Sequence, residues 1–88
     1  MIKLLKFESD SCPQCKALSA TLERISKENK IDIKNIDIEE DNNQDLIRKY
    51  NIRSIPTLIF LNENKEYNRL VGNQSYATIN KIINYDTI

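Results

Sequence analysis

The chain has 88 residues, too few for two independent hydrophobic cores and enough for one, so a single domain over residues 1–88 is expected. Lysine and arginine number 13, as do aspartate and glutamate, and zero net charge argues against a dedicated nucleic-acid or polyanion binder. No apolar run approaches the roughly 20 residues that a membrane-spanning helix needs, and no segment resembles a signal peptide, so a cytoplasmic protein away from the membrane is expected.

In chain order, Ile2 to Phe7 is short, apolar and only partly alternating, as a buried strand is. Ser9-Asp10-Ser11 is a polar loop. A helix is predicted from about Pro13 to Asn29, because proline is tolerated in a first helical turn and Ala17, Leu18, Thr21, Leu22 and Ile25 form one apolar face. Ile31 to Ile38 reads as a second strand. Asp41 to Asn43 is placed to cap a short helix with Leu46, Ile47 and Tyr50 on its inner face. Thr57 to Leu61 is strongly β-prone, Asn62-Glu63-Asn64-Lys65 makes a turn, and Glu66 to Val71 returns as its hairpin partner. Gly72 breaks that strand, and Ser75 is placed to cap a last helix that buries Ile79, Ile82 and Ile83. The order is βαβαββα. It predicts an α/β fold with a mixed four-stranded sheet and helices on both faces.

The chemistry concentrates in Cys12-Pro13-Gln14-Cys15, which holds the only two cysteines. Cys12 stands at a helix start, where free N–H groups and the partial positive charge favour a thiolate, the species that attacks disulfides. Cys15 lies one turn on, within reach to displace Cys12 from a mixed disulfide. In a reducing compartment a lone CxxC points to redox or metal chemistry rather than to scaffolding. With no histidine and no second CxxC, a zinc ion held within one chain lacks ligands. A pair of helix-cap thiols without chemistry is the bland alternative. Ser54-Ile55-Pro56-Thr57 is a second signal, because a proline opening a strand is either an edge device or a cis bond kept where a turn requires it. Glu39-Glu40-Asp41 reads as a solvated loop. Tyr67, Tyr76 and Tyr85 read as packing residues, with no basic residues interleaved for nucleic acid.

Tyr50-Asn51-Ile52-Arg53-Ser54-Ile55-Pro56-Thr57-Leu58 resembles the "YGIRGIPTL" segment of the thioredoxin family, and the hairpin, Val71-Gly72 and last helix follow in family register. Together with the strand ending in Phe7 and the CxxC followed by Lys16, the resemblance covers nearly the whole chain. It implies a minimal thioredoxin fold that opens directly on the strand leading to the motif. By resemblance, Cys12 is the nucleophile and Cys15 the resolving thiol. Pro56 is cis beside them, and Ile55 offers its backbone to a substrate strand, with Pro13 and Gln14 as motif residues. No cofactor or metal is then needed. The partners implied are disulfide-containing proteins and a thioredoxin-reductase-type flavoenzyme, acting on a monomer.

The sequence departs from the family in several places. Ser11 replaces the usual tryptophan, and Pro13-Gln14 replaces Gly-Pro and stands nearer the Pro-Tyr of glutaredoxins. Lys6 occupies the register of a buried aspartate beneath the second cysteine. Its ammonium either favours a Cys15 thiolate or reaches solvent along its stem. Asp10, two residues before Cys12, is the acid poised to oppose the thiolate. The glycine pattern with which glutaredoxins hold glutathione is absent from Val71-Gly72-Asn73-Gln74. The alternatives are a glutathione-linked glutaredoxin-like protein and a thioredoxin-fold binding module in which the CxxC is incidental.

Overall fold

The computed structural model describes residues 2–84. Its elements are β1 (Ile2–Glu8), α1 (Pro13–Glu28), β2 (Asp32–Asp37), α2 (Gln44–Lys49), β3 (Thr57–Asn62), β4 (Lys65–Val71) and α3 (Tyr76–Ile83). The strands form one sheet in the order β2-β1-β3-β4. β1 runs parallel to β2 and antiparallel to β3, and β3 pairs antiparallel with β4.

The sheet separates two apolar layers because side chains alternate faces along each strand. Leu4, Leu58 and Phe60 face Leu18, Leu22 and Ile25 of α1 and Ile79 and Ile83 of α3. Leu5, Phe7, Ile36, Ile59 and Leu61 face the other way, against Tyr50 and the half-buried Leu46 and Ile47 of α2. Helices therefore cover both faces, as expected. β3 reads as a nearly unbroken apolar run, and β1 is buried from Leu4 to Phe7, because they are the two inner strands, covered on both sides.

Local chemistry accounts for most boundaries. Glu63 and Asn64 both take positive φ, at 52° and 69°, the left-handed conformation that a two-residue hairpin turn requires. In β4, Phe60 pairs with Asn68 but Leu61 pairs with Glu66, so Tyr67 is an extra residue in a β-bulge. The bulge lets Tyr67 and Leu70, three positions apart, both pack against the α1–α3 layer. Ser75 caps α3, its side chain accepting from the Thr78 N–H at 3.2 Å.

Several details differ from the sequence reading, beginning with strand ends that shift by one residue in β1, β2 and β4. Ala17 is exposed, and Cys15 takes its place on the buried face of α1. Asn43 stands at the N-cap of α2, after a 3₁₀ turn over Asp41–Asn43, but its side chain makes no capping hydrogen bond. It donates instead to the Asp37 carbonyl at 2.9 Å, while Gln44 donates to the Ile38 carbonyl at 3.0 Å, so both amides tie the loop back to the end of β2. α1 ends at Glu28, one residue early, where Asn29 turns extended and its side chain bonds the Ile25 carbonyl at 3.1 Å. Tyr67 and Tyr76 are packing residues as expected; Tyr85 lies outside the described residues.

Candidate active site

Strand direction brings three loops to one end of the sheet. β1 runs toward that end, and Phe7 pairs there with Thr57, the first residue of β3. Val71, the last residue of β4, pairs with the same Thr57. The segments 9–12, 51–56 and 72–75 therefore converge beyond this edge, although they lie far apart in sequence.

Cys12 is the N-cap of α1 in an extended conformation. Its Sγ accepts from the Cys15 N–H at 3.1 Å, so the sulfur does the work that a serine or aspartate oxygen does at other helix starts. The two sulfurs stand at disulfide distance, with the Cα atoms 5.2 Å apart. Cys12 is half-buried, Pro13 and Gln14 are exposed, and Cys15 is 1 % exposed. No acidic residue lies in the first turn of α1 to offset the positive helix end. Asp10 is exposed in the preceding turn, where the Ser9 carbonyl accepts from the Cys12 N–H at 3.3 Å.

The Ile55–Pro56 peptide bond is cis. Pro56 is buried, and its carbonyl accepts from the Gly72 N–H at 2.8 Å. The Thr57 hydroxyl donates to the Ser54 carbonyl at 2.6 Å. Ile55 is half-buried, and among the described residues no hydrogen bond engages its backbone.

Lys6 does not reach solvent. Its side chain is fully buried beneath α1, on the face of β1 that also carries Glu8. The ammonium donates to the Cys15 carbonyl at 2.8 Å and to the Ser19 hydroxyl, and it pairs with the Glu8 carboxylate at 2.7 Å. These three partners use all three ammonium protons, the condition under which burial of a lysine is tolerable.

The thioredoxin family model matches residues 1–85. The chain belongs to the thioredoxin family. It is 29 % identical to thioredoxin of Bacillus subtilis over 83 residues, covering 94 % of this chain and 80 % of that one. It is 30 % identical to thioredoxin of Staphylococcus aureus over 84 residues, covering 93 % and 79 %. Among solved structures, a thioredoxin mutant from Halobacterium salinarum superposes with a TM-score of 0.90 at 25 % identity, over 99 % of this chain and 75 % of that one. Thioredoxin 1 of Thermosipho africanus superposes at 0.84 with 28 % identity, over 97 % and 93 %. A thioredoxin-family chain with its CxxC sulfurs at disulfide distance is a dithiol–disulfide oxidoreductase, and the family acts on protein disulfides.

The structure thus brings Cys12, Cys15 and Lys6 together, sets Ile55 and Pro56 at the same sheet end, and leaves Asp10 and Gln14 at the surface. Sequence reasoning missed Glu8 and Ser19. Both had a signal: Glu8 lies two residues from Lys6 on one strand face, and Ser19 lies one helical turn after Cys15. Asp10 is therefore not the only acid close to the motif.

Proposed function

We propose that Cys12 is the attacking thiolate and Cys15 the resolving thiol of a protein-disulfide reductase. The observation that carries this assignment is the asymmetry of the pair: Cys12 is accessible and caps a helix, whereas Cys15 is shielded within the first turn. The helix end and the Cys15 N–H at 3.1 Å both favour negative charge on the Cys12 sulfur. That sulfur attacks one sulfur of a substrate disulfide, whose S–S bond breaks and whose other sulfur leaves as a thiolate. Cys15, once deprotonated, attacks Cys12 Sγ, so the mixed disulfide breaks and the second substrate sulfur is released. Two electrons have then passed to the substrate, and its thiolates take up protons from Cys15 and from solvent.

The half-buried Ile55 beside Pro56 supports a substrate groove at this end of the sheet. Its backbone N–H and carbonyl suit pairing with an extended substrate strand, which needs little side-chain specificity. The sulfurs supply the redox chemistry without a prosthetic group, and a thioredoxin-reductase-type flavoenzyme supplies the electrons in the cytoplasm to a monomeric protein. The thioredoxin-like Ile55 to Leu58 and Val71-Gly72 segments favour that donor over glutathione. Insulin reduction tests the reading. Turnover that Cys12→Ser abolishes supports it, and no turnover by the intact chain would favour a non-catalytic binding module. Faster turnover with glutathione and glutathione reductase than with an NADPH-linked thioredoxin reductase would favour a glutaredoxin-like role.

A further inference from the structure

The geometry points to Lys6 and Glu8 as a paired positioning device that sets the redox balance of Cys12 and Cys15, an assignment that rests on the exchange reaction proposed above. A lysine with no exposed side-chain surface at the centre of a sheet is rare, because an ammonium loses its hydration on burial. Here it is retained with all three protons placed, and its nitrogen lies 2.8 Å from the carbonyl oxygen of the resolving cysteine. Carbonyl and sulfur belong to one residue, so a fixed positive charge is held within a single residue's reach of the Cys15 sulfur. Ser19 closes the arrangement by donating to the same carbonyl at 3.1 Å.

Reduction of the Cys12–Cys15 bond takes two electrons, breaks the S–S bond and places negative charge on sulfur until a proton arrives from solvent. A cation beneath the pair stabilises that reduced form relative to the neutral disulfide and makes the protein more oxidising. Glu8 opposes it. Its carboxylate is 2.7 Å from the ammonium and its side chain is 26 % exposed, so the pair reaches from the dry interior under α1 to the rim of the site. Lys6 supplies the charge and Glu8 trims it. Neither touches the substrate, and both act through Cys15.

The two charges make opposite predictions, which a purely structural ion pair does not. Lys6→Met keeps the apolar stem and leaves the carboxylate alone near the motif. Glu8→Gln leaves the ammonium uncompensated. Lys6→Met/Glu8→Gln removes both and avoids a stranded buried charge. Each protein is equilibrated in glutathione redox buffers and its dithiol and disulfide forms are quantified after acid trapping, with urea unfolding of both forms confirming that each variant is folded. The equilibrium constant for reduction should fall about tenfold in Lys6→Met, a shift of ~30 mV downward for a two-electron couple. It should rise in Glu8→Gln, and the double variant should lie between the two. Shifts of the same sign in both single variants, or no shift in either, would overturn the assignment while leaving the exchange reaction intact. An unmodified protein whose cysteines fail to equilibrate with glutathione at all would overturn the exchange reaction itself, and this assignment with it.

Discussion

Gly72→Ala isolates one backbone conformation on which the site depends. Gly72 has φ of +87°, and a Cβ built there meets no atom within 4 Å, so the cost of alanine is conformational and not steric. Holding an L-residue in that region costs about 1–2 kcal/mol. Relaxing to negative φ instead gives up the N–H bond to the Pro56 carbonyl, 2.8 Å long, a loss of about 0.5–1.5 kcal/mol for a typical hydrogen bond. The two routes together predict a destabilisation of about 0.5–2 kcal/mol. For a domain of this size that lowers Tm by roughly 2–16 °C. Asparagine tolerates positive φ better than alanine does, so Gly72→Asn should lose less. Urea denaturation measures the stability, and insulin reduction well below the transition reports whether the Pro56 loop has moved. Activity should fall in Gly72→Ala at a temperature where the variant is fully folded. A stability change under ~0.3 kcal/mol with full activity would refute the reasoning, because the loop would then not depend on this conformation.

Other changes test the remaining contacts. Lys6→Ala strips a fully buried ammonium from Glu8 and from the Cys15 carbonyl, and urea unfolding should show a loss of about 3 kcal/mol, the scale for breaking a buried pair. Ser75→Ala removes the hydroxyl that caps α3 and should cost about 1 kcal/mol by the same assay, with insulin reduction unchanged. Taking the poise of thioredoxins at about −270 mV and of glutaredoxins at about −200 to −230 mV as reference points, the Pro13-Gln14 dipeptide places this chain between them, roughly −220 to −260 mV, measurable against glutathione buffers. The hydrogen bond to Glu28 holds the Tyr76 phenol above the ordinary tyrosine range. The unfolded chain then releases that proton first, so stability should decline as pH rises past the ordinary tyrosine value, and the decline should be smaller in Tyr76→Phe.

The strands and helices were legible because each carries a pattern tied to one period. β3 is an unbroken β-prone run, and α3 repeats isoleucine at helical spacing behind a serine cap. The cysteine pair was legible because spacing along a helix start fixes its geometry. The bulge at Tyr67 was not, since an extra residue in one strand is defined only by its pairing partner. Ala17 was misread because a small side chain fits either face of a helix and carries little burial energy. The setting of Lys6 was half legible. Its register placed it beneath the motif, but lysine reads as exposed unless its partners are known. Of those partners, Glu8 lies two residues on along the same strand face, whereas Ser19, on the helix packed above, meets Lys6 only in three dimensions.

The central claim is that Cys12 attacks and Cys15 resolves, and trapping tests it most directly. Cys12→Ser and Cys15→Ser variants are each incubated with a disulfide-containing protein and the adducts are identified by mass spectrometry. The account predicts a stable mixed disulfide through Cys12 in Cys15→Ser and none in Cys12→Ser. A mixed disulfide that accumulates through Cys15 in Cys12→Ser, with none through Cys12, would contradict it.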